Sequence, residues 1–425
     1  MINWIQDRFI SLLSPFIILS NRINQRMKYY FITLCFIIDI VLFCIVRFML
    51  LKESYFYNTV CGIFVLIIIA FLSLDKQLKR IRWRRSLWIA WYGFCIMITI
   101  SDIFVQKKAC GLGVLLAFVF TAVFFVWQNH SNPERLWKCF TDSIKIAFLI
   151  MTVISFLFRP YIKGGRYAGI FTNPNMFGLY LVIIFVVYLC ELDKCIQMRQ
   201  SLKKGIISCL SFSLVVFFIA VSQARTSLMA VIGVYFVWFV SRIIVNQKDK
   251  NIRSLAKWIT ASTVSCVILY PILFFGLSHI PDLVGHPIFF KDDVIYYSNG
   301  EKEEIGEMLL AESIGIDDIM EDDNAGGFWE NNFIARLLRL DNEKSLDRMS
   351  SGRITIFKAY IKRINKMGHK NLSIRINNHK VAHAHNNYIQ FGYTYGFFSM
   401  FFYGIMTILS ILFSAKHFLV NFRKR

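Results

Sequence analysis

The sequence predicts an all-α, polytopic transmembrane helical bundle of about ten to twelve spans, with one long extracytoplasmic loop between the last spans. Three observations carry that prediction. Hydrophobic residues make up 56% of the 425-residue chain and charged residues only 18%, with a mean hydropathy of +0.51, whereas soluble domains carry about 25% charge. Apolar runs long enough to cross a ~30 Å hydrocarbon core recur along the chain. Lysine and arginine gather between alternate runs. Soluble globular, disordered, collagen-like and secreted disulfide-scaffold classes are excluded.

The elements follow in order. Residues 9–20 form a short apolar stretch after Asp7 and Arg8 and lack a small-residue cleavage site. That pattern fits an interfacial or partly inserted helix better than a cleaved signal peptide. Ten spans are then predicted, at 29–51, 56–74, 86–105, 109–127, 142–158, 173–190, 205–221, 227–245, 258–277 and 387–418. The connections 21–28, 75–85, 128–141, 191–204, 246–257 and 419–425 hold 22 Lys and Arg, and the short connections 52–55, 106–108, 159–172 and 222–226 opposite them hold 7. Cytoplasmic loops are the enriched ones, so Arg423, Lys424 and Arg425 are placed in the cytoplasm and residues 278–386 outside. The expected organisation is a membrane bundle over 1–277, an extracytoplasmic domain over 278–386, and a last helix with a basic tail over 387–425. The net charge of +21 then reports orientation, and no nucleic-acid partner is implied. The ten cysteines lie in or beside apolar runs without CxxC spacing and read as small buried hydrophobes.

The outer segment is the one long connection, and such connections are usually functional. Its first part, 278–347, carries 17 acidic against 5 basic residues, including Asp317, Asp318, Glu321, Asp322 and Asp323. Its second part, 348–386, carries nine Lys or Arg and no acid. There Ile354, Phe357, Ile361 and Ile364 recur at helical spacing, with Lys358, Lys362, Arg363 and Lys366 on another face. An amphipathic helix on the outer membrane face is expected, or else a packed lid helix with a solvated basic side.

Basic residues in the outward loops run against the orientation rule, so another constraint must retain them. Arg166 lies in the Gly-rich KGGRYAGIFTNPN, Arg225 in SQART and Arg353 in SSGR. Three guanidiniums at membrane-surface depth suit a lipid diphosphate, because arginine binds phosphate oxygens bidentately and stays charged. Singly, each could equally snorkel to the interface. Asn173, Pro174 and Asn175 read as the start of a helix, with Asn as a cap or a ligand contact.

The sharpest cluster is HAHNNYIQFGYTYG, residues 383–396, with His383, His385 and Asn386 where the outer segment returns to the last span. A neutral imidazole there can take a proton from an attacking sugar hydroxyl. His383 and His385 would share one face of a strand, but no third ligand stands at metal-site spacing, and no metal or other cofactor is expected. DDNAGG at 322–327 is only a partial calcium-loop pattern and reads as a turn.

In its order of elements the chain resembles the bacterial O-antigen ligase and O-antigen polymerase family, integral membrane glycosyltransferases of the GT-C type. RYAGIFTNPNMFG at 166–178, SQARTSLMAV at 222–231, SGRITIFKAYI at 351–361 and HAHNNYIQFGYTYG at 383–396 carry the resemblance. The ligase pattern expects a His followed by a small polar residue, then a Gly after nine intervening residues, which His385, Asn386 and Gly396 meet. It then expects a Gly where this chain has Ser399.

The resemblance implies metal-independent, inverting transfer from an undecaprenyl-diphosphate-linked oligosaccharide donor to a glycan or lipid-linked acceptor, on the outer face of the bacterial cytoplasmic membrane. It makes His385, Arg225 and Arg353 catalytic, and Arg166, Asn173, Asn175, His383 and Asn386 substrate-binding. A polymerase is favoured over a ligase, because the ligase spacing is incomplete and the acidic insertion is long. The rival from another class is a lipid-linked oligosaccharide flippase, for which Asp39 and Arg47 inside an apolar run would matter.

Overall fold

The apolar runs are helices in a computed structural model, which describes residues 2–48, 54–74, 85–107, 112–117, 126–127, 130, 132–162, 166–171, 173–198, 200–249, 252–289, 294–296, 302–304, 353–376, 379–381, 383–384 and 386–424. The helices are α1 (Ile2–Asn21), α2 (Gln25–Phe48), α3 (Ser54–Leu72), α4 (Arg85–Phe104), the single turn α5 (Leu112–Leu115), α6 (Pro133–Phe158), α7 (Pro174–Gln197), α8 (Leu202–Ser222), α9 (Arg225–Asp249) and α10 (Ile252–Val284). Two antiparallel strand pairs, β1 (Val294–Tyr296) with β2 (Lys302–Glu304) and β3 (Ile374–Ile376) with β4 (His379–Val381), add short sheet to the all-α expectation. Helix α11 (Arg353–Ile361) precedes β3, and α12 (Asn387–Tyr395) and α13 (Phe397–Lys424) end the chain.

Seven of the described helices, α4, α6 to α10 and α13, are long and apolar enough to cross a membrane. That is the helix complement of a multi-pass membrane protein. The predicted spans at 29–51 and 56–74 are occupied by α2 and α3, and most of 109–127 lies outside the described residues. Several connections predicted as loops are helical instead. α6 begins at Pro133, where proline's missing N–H costs nothing, and α7 continues to Gln197. α10 runs 33 residues through Pro271 and Pro281, past its predicted end at 277.

The chain folds as two compact units interleaved in sequence. One comprises Gln25–Val65 and Glu134–Gly327. Its core is aromatic, because α6, α7, α8 and α10 each contribute large apolar side chains to one cluster that includes Phe148, Phe177, Phe185, Phe217 and Phe218. Edge-on contacts, such as Phe177 to Phe218 at 5.6 Å, suit the opposite charge of ring faces and edges. α2 joins through Phe36, edge-on to Phe140 at 5.2 Å. Asp193 on α7 pairs with Arg242 on α9 and accepts a hydrogen bond from Trp238 Nε1 at 3.0 Å, so this partly buried carboxylate is satisfied on both sides.

The other unit comprises Met1–Asn24, Leu66–Pro133 and Phe328–Arg425. Phe94 on α4 meets Phe391 of α12 at 5.2 Å and Tyr403 of α13 at 5.6 Å. Two expectations are corrected here. The apolar run 387–418 is not one span but two helices broken at Gly396, which has φ of 92°. Tyr388 Oη donates to Thr407 Oγ1 at 2.9 Å, so α12 folds back alongside α13 as an antiparallel hairpin. The amphipathic helix ends at Ile361, and its core face is Ile356, Ala359 and the fully buried Tyr360 rather than Ile354, Phe357 and Ile361. Ile361 is 53% exposed. The helix packs inward through Tyr360, which docks on Ile374, Ala384 and Tyr393.

Candidate functional site

In the first unit the site is built on the connection between α6 and α7. Its apolar residues Tyr161, Tyr167, Ile170 and Phe171 are buried, so the loop folds into the core instead of lying over it. Tyr167 stacks on Phe218 at 6.0 Å, and its N–H donates to Val221 O at 3.1 Å. Arg159 is also buried. Its Nε donates to Gly169 O at 2.7 Å and its Nη1 to Ile288 O at 2.5 Å, which supplies the partners a buried cation requires.

Arg166 sits exposed next to the buried Tyr167, and its Nη2 donates to Asn175 Oδ1 at 2.9 Å. Asn173 is the N-cap of α7, with extended backbone and a side chain that accepts the Asn175 N–H at 2.8 Å. Pro174 fills the first helical position. Asn173 thus serves as a cap, while Asn175 turns its amide toward the guanidinium.

Arg225 is the first residue of α9 and is partly buried. The corner before it is tight. Gln223 has left-handed backbone (φ 47°, ψ 28°), and Ser222 Oγ donates to Ile219 O at 2.9 Å and accepts the Ala224 N–H at 3.4 Å. This corner packs closely on the first turns of α7. A methyl group added at Gly178 would lie 2.5 Å from Ser227 Oγ and 2.6 Å from Ala224 Cβ. The starts of α7 and α9 therefore adjoin, and the Arg166–Asn175 pair and Arg225 share one end of the unit. Two arginines and two helix N-termini at one end of the unit make that end electropositive.

The other predicted residues belong to the second unit. Arg353 is the first residue of α11 and is partly buried. His383 is exposed. Ala384 is buried, and its N–H donates to Gln390 Oε1 at 2.7 Å. Asn386 is the N-cap of α12, its Oδ1 accepting the Ile389 N–H at 3.2 Å. His385 lies outside the described residues. Because α12 runs back along α13, Asn386 is not at the head of the last span. Thr407, the level that Tyr388 reaches, is ten residues into α13, a rise of about 15 Å.

Around this segment Tyr360 Oη lies 3.0 Å from Val381 O and 3.2 Å from Leu372 O, and burial raises its phenol above the usual range. Ser399, where the ligase pattern expects Gly, is buried, with Oγ 2.8 Å from both Phe391 O and Gly396 O. Its single hydroxyl hydrogen donates to one of these carbonyls at a time, tying the first turn of α13 to the end of α12.

Of the residues singled out in the sequence, the structure sets Arg166, Asn173, Asn175 and Arg225 at the adjoining starts of α7 and α9; Arg159, whose signal is the same as that of Arg166, a cation in a depleted loop, was not among them. Gln223 and Gln390 had no sequence signal. Among the described residues no three His, Cys, Asp or Glu side chains are placed to hold a metal ion. Comparison with protein-family models, with curated proteins and with solved structures finds no match to the chain.

Proposed function

We propose that the chain is a membrane glycosyltransferase that uses an undecaprenyl-diphosphate-linked glycan as donor at the outer face of the bacterial cytoplasmic membrane. The observation that carries this reading is the grouping of Arg166, Asn175 and Arg225 where α7 and α9 begin. Such a group fits a diphosphate held at the membrane surface while its lipid tail stays among apolar helices. When the bond from the anomeric carbon to the diphosphate breaks, negative charge develops on the leaving group. Fixed cations stabilise it where it forms.

In this reading Arg166 and Arg225 bind the diphosphate, and Arg353 keeps the cationic role that the resemblance implies for it. His385 takes the proton of the acceptor hydroxyl as its oxygen attacks the anomeric carbon with inversion, and undecaprenyl diphosphate departs. Asn173 and Asn386 act as helix caps, each in its own unit, and His383 keeps the sugar-binding role that the resemblance implies. A polysaccharide polymerase is preferred to a ligase, because Ser399 stands where the ligase pattern expects Gly and the acidic outer stretch is long.

A second reading has an observation of its own. A helix broken beside a span, with polar residues well along it, is also how transporters build binding sites. The α12–α13 hairpin at Gly396 thus favours a lipid-linked oligosaccharide flippase as the alternative.

The test uses purified protein in lipid with undecaprenyl-diphosphate oligosaccharide and no added metal. Wild type forms glycosidic bonds, and Arg225→Ala and His385→Ala lose at least a hundredfold in rate, the scale of removing one stabilising group from a transition state. Unchanged transfer in both variants removes the proposed site. Translocation without bond formation replaces the reading with the flippase.

A further inference from the structure

The residues after α11 form a basic surface that the glycosyl-transfer reading leaves unused. Lys362, Arg363, Lys366, Lys370 and Arg375 are all exposed. Their side chains make no ion pair among the described residues. Residues 353–376 contain no acid at all. Between these cations stand exposed apolar side chains: Ile361, Leu372 at 49% and Met367 at 39% exposure.

This surface is fixed to the start of a membrane-length helix. Asn365 O accepts the N–H of Phe397, the first residue of α13, at 2.8 Å, and the His369 N–H donates to Thr394 O at 3.3 Å. Gly396 lies so close that an added Cβ would sit 2.2 Å from Lys366 O. Asn365 Oδ1 accepts the Met367 N–H at 3.0 Å and the Gly368 N–H at 2.5 Å, holding the turn closed. The His369 ring stacks on Tyr393 at 4.3 Å. Lys366 and its neighbours are thereby held at the level where the apolar length of α13 begins, beside the exposed rings of Phe397 and Phe398.

Cations interleaved with apolar side chains and aromatics at the end of a span are the chemistry of the headgroup layer. We infer that the turn 361–370 is a binding surface for anionic phospholipid, with Lys362, Arg363, Lys366 and Lys370 on the headgroup phosphates and Ile361 and Met367 in the acyl boundary. A soluble anionic glycan would use the cations but gain nothing from the exposed apolar residues, which favours lipid as the occupant. The inference does not depend on the glycosyltransferase reading.

The test is native mass spectrometry of the full-length chain in neutral detergent, titrated with phosphatidylglycerol and separately with phosphatidylcholine. Wild type retains phosphatidylglycerol about tenfold better, and added salt erodes the difference. The variant Lys362→Gln/Arg363→Gln/Lys366→Gln/Lys370→Gln loses the preference, whereas Lys362→Arg/Lys366→Arg/Lys370→Arg keeps it, which separates charge from misfolding. Equal retention of the two lipids by wild type, or an undiminished preference in the glutamine variant, overturns the inference. It is also overturned if a preference emerges only after Asp317, Asp318, Glu321, Asp322 and Asp323 are neutralised, since the basic surface would then be engaged by the chain's own acidic stretch. Selective retention of an anionic oligosaccharide with no preference between the lipids has the same consequence.

Discussion

Arg166 and Asn175 are joined by a 2.9 Å hydrogen bond from Nη2 to Oδ1, while the Asn175 N–H is held by Asn173 Oδ1 at 2.8 Å. Guanidinium, amide and helix cap therefore form one connected chain at the head of α7. The guanidinium is thus oriented at the solvent-exposed head of α7 before any ligand reaches it. Preorganisation of this kind makes a cation effective against developing charge.

Substitutions along that chain separate binding from capping. Arg166→Lys keeps the charge but loses the planar fork, and glycan transfer should fall about a hundredfold with little change in melting temperature. Asn173→Ala should cost about 1 kcal/mol of stability through the lost cap. Thermal melts and donor titrations of the two variants check this. Equal losses of stability in both would mean that Arg166 is only a structural partner of Asn175.

Gln223 offers a second test beside Arg225. A left-handed conformation costs a residue with a Cβ roughly 1–2 kcal/mol, and Gln223 adopts it at the corner between α8 and α9. Gln223→Gly should therefore raise stability by about 1 kcal/mol, as read from denaturant midpoints. If transfer also drops several-fold, the glutamine side chain meets substrate, and its strain is retained for function. If stability falls instead, the backbone assignment at this corner is wrong.

Tyr161 gives a prediction in pH. Burial, and to a lesser degree Tyr270, pushes its phenol up to about 12, and its hydroxyl has no hydrogen-bond partner among the described residues. A folded-state value raised above the unfolded value of ~10 gives stability that is intact below pH ~10 and is lost as pH rises toward about 12. Tyr161→Phe removes both the unsatisfied hydroxyl and the titration. It should raise stability by about 1 kcal/mol at neutral pH and flatten the alkaline loss. Melting temperatures of both proteins across that alkaline window decide it, and a destabilised phenylalanine variant would show that the hydroxyl has a partner.

The spanning helices were legible because twenty apolar residues in a row have few alternatives, as in α7 to α10. Arg166 and Arg225 stood out because the orientation rule expects few cations in alternate short connections. Other features depend on tertiary contacts that leave no periodic trace. The core face of α11 follows Tyr360, whose partners Ile374, Ala384 and Tyr393 are 14 to 33 residues away in sequence. The capping of α12 by Asn386 and the seating of Ala384 on Gln390 are local contacts, hidden only because the apolar run 387–418 shows no break in composition. The break at Gly396 was hidden because hydrophobicity continues through it and only its backbone angle and neighbours distinguish it.

That break supplies the last prediction. Gly396 and Gly368 have φ of 92° and 91°, and a Cβ at either would lie 2.2 Å from a carbonyl oxygen, that of Lys366 or of Thr394. Neither neighbour is a flexible side chain, so the backbone itself must move. Gly396→Ala and Gly368→Ala should each cost about 3 kcal/mol or more, combining a forbidden conformation with a backbone clash. Gly404, inside α13 with nothing within 4 Å of an added Cβ, is the control; Gly404→Ala should be neutral or stabilising by up to ~1 kcal/mol. Because the two glycines close on one contact, the double variant should lose less than the sum of the single losses. Denaturant midpoints of the four variants test all of this. If Gly396→Ala is as stable as wild type, α12 and α13 can straighten into one helix, and the hairpin that places Asn386 alongside the span would have to be abandoned.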